Sequence, residues 1–479
     1  MLFNSIEFMI FFPLVTISYF LLPHRYRWFL LLLASCIFYM AFIPKYLLIL
    51  AITIIVDYFV GIGLHKTEGS KKKILLVASI ACNVGFLFVF KYFNFFNSNL
   101  ATLASTLNVD YPIKNLSIIL PIGLSFHTFQ SMSYIIEVYR GNQKPERNFG
   151  IYALFVMFYP QLVAGPIERP QNLLNSFHEV KHFDFGRMLN GLQLMVWGLF
   201  KKIVIADNLA QLVNVVYNNP GAHHGLIIIL ATYFFAFQIY CDFSGYTDIA
   251  RGASRIMGFE LMLNFNQPYF SKSISEFWKR WHISLSSWFK DYVYIPLGGN
   301  RVPKRRMYFN LMAVFLLSGF WHGANWTFII WGVLNGLYLI IESLTGKVKE
   351  RIAGMLGFSS TSMLKNAIQI FITFNLISFA WIFFRAQSLS DAILLIKNIF
   401  PLNVTNEFFS GLEANLVIGI MGIAVLLVCE KSNTKFNLIY NIRRCPAVVI
   451  NTIIIALILC IITFGAYGTG VFEFIYFRF

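Results

Sequence analysis

His322 stands in Leu317-Ser318-Gly319-Phe320-Trp321-His322-Gly323-Ala324-Asn325-Trp326, between two long apolar runs. An ionisable side chain at membrane depth costs about 3 kcal/mol on insertion scales, so one that persists there is a functional candidate. The competing reading is a helix-end histidine satisfied by a carbonyl, and position alone leaves both open. A second histidine, His282, lies in an equally aromatic setting, Trp278-Lys279-Arg280-Trp281-His282-Ile283-Ser284-Leu285-Ser286-Ser287-Trp288. Burial keeps imidazole neutral and able to accept a proton at pH 7. A neutral imidazole beside a hydroxyl and an acyl donor is the minimum for base-assisted acyl transfer. No carboxylate adjoins His322 in sequence, which leaves Asp242 or Asp248 as candidates to orient it.

Other chemistries have weaker support. Gly123-Leu124-Ser125-Phe126-His127 lacks the second glycine of a nucleophile elbow, and no phosphate-loop lysine motif is present. His178 and His182, with Asp184 nearby, have the spacing of metal ligands on one helical face. They lie in a polar stretch without a convincing third ligand and read as a solvated loop. His223-His224 beside Gly221 also reads as a loop, so no metal site is expected. The six cysteines (Cys36, Cys82, Cys241, Cys429, Cys445 and Cys460) form no CxxC pair and read as small hydrophobes.

The elements that must position the histidines are apolar helices. The 479 residues are 57% hydrophobic and 18% aromatic with only 13% charged, and the mean hydropathy is +0.65. A soluble chain carries roughly twice that share of charge. Runs such as Phe29 to Phe42, Tyr46 to Leu64 and Ala447 to Phe464 approach or reach spanning length. About a dozen such runs predict an all-α polytopic membrane protein of 11–13 transmembrane helices. The start, Met1-Leu-Phe-Asn-Ser-Ile-Glu7, lacks the basic n-region and cleavage site of a signal peptide, so the first helix is expected to be retained.

The net charge of +16 is not a nucleic-acid signal, because the basic residues cluster in short connections. Examples are His24-Arg25-Tyr26-Arg27, Lys71-Lys72-Lys73, Arg301 to Arg306, Lys347 to Arg351 and Arg443-Arg444. This is the positive-inside bias of cytoplasmic loops facing anionic lipid. Alternating spans from that rule puts Met1 and the C-terminus outside.

Along the chain, residues 1–96 read as four spans joined by short turns, and 97–115 as a polar external loop. Residues 115–346 form the expected core. Their apolar runs are broken at Pro121, Gly123, Gly165-Pro166, Pro170, Asp242, Gly245 and Asp248. Irregular backbone at membrane depth requires surrounding protein or a water-filled cavity. The core therefore reads as re-entrant or bent helices around a central tunnel. Plainer spans follow near 366–384, 414–430 and 447–464, and the chain 1–479 reads as one integral-membrane domain. Within the core, Ser273-Ile274-Ser275-Glu276 is a capping box opening a helix over 273–292. Ile274, Phe277, Trp278, Trp281, Leu285, Trp288 and Phe289 share one face, as in an amphipathic helix lying along the cytoplasmic interface.

Several segments together resemble a known family. They are Ala164-Gly165-Pro166-Ile167-Glu168-Arg169-Pro170, Gln238-Ile239-Tyr240-Cys241-Asp242-Phe243-Ser244-Gly245-Tyr246-Thr247-Asp248, the Trp278 to Trp288 segment, Tyr294-Ile295-Pro296-Leu297-Gly298-Gly299, and Ser318-Gly319-Phe320-Trp321-His322-Gly323. In this order they resemble the membrane-bound O-acyltransferases, above all the bacterial branch that acetylates alginate or peptidoglycan. The resemblance implies a catalytic His322 deep in a tunnel, with His282 as the second family histidine near the cytoplasmic mouth. It further implies substrate or cofactor contacts from Lys279, Arg280, Trp281, Asp242 and Gln238. The cations there and in the Arg301 to Arg306 cluster would suit the phosphates of coenzyme A. Acetyl-CoA would be the donor substrate, with no tightly bound cofactor.

The last six residues, Phe474-Ile475-Tyr476-Phe477-Arg478-Phe479, read on their own as an interfacial aromatic anchor. They also resemble the C-terminal motif of the small partner protein in teichoic acid D-alanylation, which implies that Tyr476 carries an acyl group. The expectation is an O-acetyltransferase in a bacterial cytoplasmic (inner) membrane. It would deliver acetyl through acyl-Tyr476 and an extracytoplasmic SGNH-type serine acetyltransferase to an exported polysaccharide. The alternatives are a lipid-acceptor acyltransferase of the same superfamily and a transporter or flippase, since broken helices at the midplane also mark transporters.

Overall fold

The structure is a computed structural model that describes residues 1–118, 120–355, 362–402, 411–436, 447–467 and 474–475. The described residues form helices and no strand. Among them, seven helices are long and apolar enough to cross a membrane: Pro44–Lys66, Gly69–Thr106, Phe185–Tyr217, Leu226–Met257, Trp326–Gly346, Met363–Arg385 and Glu413–Ser432. Ile6–Leu21 and Val448–Phe464 are shorter apolar helices. The chain is an all-α, multi-pass membrane protein. Mid-chain apolar stretches divide into short helices such as Phe149–Met157 and Tyr159–Leu162.

The described residues pack as two compact units, one from Met1–Met195 with Tyr246–Met262, the other from Val196–Gly245 with Leu263–Phe479.

In the first unit, Ser5 caps the Ile6–Leu21 helix by accepting from the Phe8 amide. The expected polar loop over 97–115 is in its first part a helix, Phe93–Thr106. Its polar side chains have partners in the returning strand of chain: Asn97 Nδ2 donates to Asn115 Oδ1 at 2.8 Å and Asn94 Nδ2 to the Leu116 carbonyl at 2.9 Å. The broken backbone around Gly165-Pro166 is buried, as a chain without regular hydrogen bonding requires at membrane depth. Glu168 accepts there from the Met262 amide. His178 bonds Glu146 at 2.7 Å, and Asp248 pairs with Arg251 at 3.4 Å.

In the second unit, glycines set how closely helices pack. A Cβ on Gly319 would lie 2.3 Å from the Phe328 carbonyl oxygen, and one on Gly332 2.4 Å from that of Phe315. The helices Lys304–His322 and Trp326–Met355 thus cross backbone to backbone at Gly319 and Gly332. Gly319 and Gly323, and again Gly332 and Gly336, are four apart, the small-xxx-small spacing that allows close approach of helices in lipid.

The expected capping box is present. Ser273 accepts from the Glu276 amide at 3.1 Å, while the Glu276 carboxylate reaches past the cap to the Lys272 amide at 2.8 Å. The single helix expected over 273–292 is not. It divides into Ile274–Arg280 and Ile283–Phe289, followed by a π-turn over Lys290–Tyr294. The break falls at His282, whose φ of 44° is left-handed. Such a conformation in a non-glycine residue needs its surroundings to impose it. Asn264 does so: its carbonyl oxygen accepts from the Ile283 amide at 2.9 Å and its side-chain oxygen from the Ser284 amide at 3.2 Å.

Candidate active site

His322 is the last residue of Lys304–His322 and is 5% exposed. Its ring lies against Trp321, Trp331 and Phe384, with centroids 4.8, 5.0 and 5.1 Å away. The next helix begins at Trp326, so only three residues separate His322 from it. Asn325 ties this connection down, its side-chain oxygen accepting from the Thr327 amide at 3.0 Å and its amide donating to the Gln387 carbonyl at 3.2 Å. The Gly319 and Gly332 crossing, one turn before His322, fixes the helix against the one that carries Trp331.

His282 is 1% exposed and belongs to the same aromatic body, 4.7 Å from Phe243 and 6.2 Å from Trp321 between centroids. Trp321 is thus a neighbour of both histidines. Asn264 Oδ1 is an acceptor for the Ser284 amide and hydroxyl, so at 3.1 Å it accepts from His282 Nδ1 as well. That bond places the proton of the neutral ring on Nδ1 and leaves Nε2 basic.

His282 lies outside the spanning helices, and burial holds its imidazole well below the ordinary histidine range. The unfolded chain gains this proton below about pH 6.5 and the folded protein does not. The unfolded state therefore binds more protons at low pH, and stability falls as pH falls. Thermal unfolding in detergent should be flat above pH 7. Below about pH 6.5 this group should cost about 1.4 kcal/mol per pH unit. His282→Asn tolerates the left-handed backbone and should flatten that slope; an unchanged slope would exclude His282 as its source.

A cavity of about 290 Å³ lies beside this body. Phe384 both lines it and touches His322. Lys202, Asp207, Gln238, Asp242 and Ile475 line it as well. Lys202 is buried between two carboxyl groups, 2.7 Å from Asp207 Oδ1 and 2.7 Å from Asp242 Oδ1. A π-turn over Phe200–Ala206 brings Lys202 and Asp207, five residues apart, to one face. The second oxygen of Asp242 accepts from the Ile475 amide at 2.7 Å. Arg385 reaches Asn214 at 2.7 Å on the same cavity wall.

The remaining expected site residues are scattered. Trp281 is 1% exposed in an aromatic core of Tyr240, Phe265, Tyr269, Phe277 and Trp381. Arg280 bonds Glu276 at 2.6 Å, and Lys279 is exposed. Tyr476 lies outside the described residues, though Phe474 and Ile475 immediately before it are described. The Arg301 and Lys304-Arg305-Arg306 side chains are exposed at the opposite end of the 19-residue helix from His322, roughly 28 Å away. Sequence reasoning passed over Lys202, Asp207 and Arg385. The signal was there: Lys202 and Asp207 interrupt an apolar run, and the rule that singled out His322 applies to them equally.

Residues 146–385 match the family described as "MBOAT, membrane-bound O-acyltransferase family". The chain is 39% identical over 408 residues to the probable alginate O-acetylase AlgI of Pseudomonas aeruginosa, covering 84% of this chain and 75% of that protein. It is 35% identical over 423 residues to the peptidoglycan O-acetyltransferase of Helicobacter pylori, covering 81% and 78%. Similarity to the teichoic acid D-alanyltransferase of Streptococcus thermophilus is 31% over 284 residues, covering 55% and 68%. Matches of this extent span the aromatic body, both histidines and the cavity-lining residues up to Arg385, and they make the chain an acyltransferase: it belongs to the membrane-bound O-acyltransferase family.

Proposed function

We propose that this chain is an O-acetyltransferase that carries acetyl from acetyl-CoA across the membrane to an exported polysaccharide, peptidoglycan or alginate in type. The names of the Pseudomonas and Helicobacter relatives support acetyl as the group and an envelope glycan as the acceptor. One observation carries the route: Ile475, the residue before Tyr476, lines the cavity whose wall includes Phe384, a contact of His322.

On this reading the Tyr476 phenol attacks the thioester carbonyl. His322 takes the phenolic proton, the C–S bond breaks, and the coenzyme thiolate leaves and is protonated. A phenol, with a pKa near 10, gives up its proton more readily than an alcohol. The basic, exposed side chains at Arg301 and Lys304 to Arg306, with Lys279 and Arg280, suit the coenzyme phosphates. Gln238 and Asp242 line the cavity. The phenyl ester then passes acetyl to the serine of an extracytoplasmic SGNH-type partner, which delivers it to the glycan. The protein sits in the cytoplasmic (inner) membrane with its C-terminus outside, as charge alternation implies.

Incubating the purified protein with acetyl-CoA should release coenzyme thiol and leave one acetyl group on Tyr476, located by intact-protein and peptide mass spectrometry. Tyr476→Phe should take up none and should lose glycan acetylation in cells. A Tyr476→Phe protein that acetylates the glycan at the wild-type level removes the relay from the route.

A further inference from the structure

Phe474 and Ile475 are held in place, and the anchor of Ile475 is a charged group inside the protein. Phe474 and Ile475 are 2% and 6% exposed. The Ile475 amide donates to Asp242 Oδ2 at 2.7 Å, and the Phe474 ring packs 5.5 Å from Phe243, which in turn contacts His282. Asp242 is 3% exposed and held from its other oxygen by Lys202. The last helix ends against the same element. Asn208 Nδ2 donates to the Phe464 carbonyl at 3.0 Å, and the Ala466 amide to the Ile203 carbonyl at 3.4 Å. Both described ends of the chain around the tail are therefore fastened to the segment carrying Lys202, or to the carboxylate that Lys202 holds.

The charge arrangement suits this task. One ammonium faces two carboxyl groups, so Asp242 receives only a share of a counter-charge. Away from water, a further N–H donor to a carboxylate is stronger than at a surface. A main-chain amide supplies that donor whatever side chain it belongs to, so the contact fixes the path of the chain and leaves the next side chain unconstrained by it. The next residue is Tyr476.

We propose that Asp242, held by Lys202, is a positioning residue that docks the main chain of the C-terminal tail at Ile475 and so sets the place of Tyr476. Its purpose rests on the relay described above; the docking does not. Asp242 acts through the tail and touches no reacting atom on this assignment.

Ile475→Pro tests it from the tail side, since proline has no amide proton and the Lys202, Asp207 and Asp242 cluster stays intact. The full-length protein in detergent is treated with a broad-specificity endoprotease, and loss of the C-terminal tail is followed by intact mass. Wild type should resist, while Ile475→Pro should be cleaved at least tenfold faster. Asp242→Ala should behave like Ile475→Pro, and Asp242→Asn, which keeps an acceptor oxygen, should lie between. Acetylation of Tyr476 from acetyl-CoA should slow at least tenfold in Ile475→Pro, with KM for acetyl-CoA unchanged. Wild-type resistance of Ile475→Pro overturns the docking, and a freed tail acetylated at the wild-type rate overturns the positioning. Tyr476→Phe separates the two readings. If it keeps full activity and a protected tail, the relay fails and the docking stands.

Discussion

His322→Ala should lose acetyl transfer by about 10³-fold, the middle of the range a positioned general base contributes, while the protein remains in the membrane at the wild-type level. The ring sits among Trp321, Trp331 and Phe384. The crossing at Gly319 and Gly332 fixes the two helices through backbone contact one turn away. Removing the ring therefore leaves a small aromatic-walled void rather than an unravelled helix end. His322→Gln separates the two effects, because it restores bulk and polarity without a base. Both variants should bind acetyl-CoA with unchanged affinity and transfer acetyl to Tyr476 about 10³-fold more slowly. The measurement is thiol release and Tyr476 acetylation under single-turnover conditions, where KM effects do not enter. Turnover by either variant at a tenth of the wild-type rate or more would take His322 out of the proton transfer.

The spans were legible because lipid imposes a simple rule: Leu47–Lys66 and Met363–Arg385 are apolar over the length a bilayer needs. His322 was legible for the converse reason, as a polar side chain where few belong. The capping box at Ser273 was local and so readable. What escaped depends on contacts between residues far apart in the chain. The helix break at His282 follows from Asn264, eighteen positions earlier, accepting four hydrogen bonds from the segment 282–284. No periodicity in 273–292 records that, and the aromatic face continues through the break. Asp242 looked like a partner for His322, yet its two oxygens go to Lys202 and Ile475, forty residues before it and more than two hundred after. Trp281 belongs to that same aromatic face, and the fold buries it among other rings. The helix over 93–106 was missed because its asparagines resemble a loop until the chain that pairs with them returns at 113–116.

Gly332→Ala, a single added methyl group distant from the histidine motif in sequence, should lower kcat by about 10²-fold. Its Cβ would sit 2.4 Å from the Phe315 carbonyl oxygen and 3.4 Å from the Gly319 Cα. Neither atom belongs to a flexible side chain, so the two helices must separate by something like 1 Å. Trp331 moves with one helix and His322 with the other, and a displacement of that size at a reacting group is worth about 10²-fold in rate. Overpacking of this kind costs about 1–3 kcal/mol of stability, which leaves a folded protein to assay. The same helix supplies the control, because a Cβ at Gly346 meets nothing within 4 Å. Gly346→Ala should keep full activity and gain up to about 1 kcal/mol from helix propensity. Equal activity in the two variants would mean that the close crossing of these helices does not hold His322 in its working position.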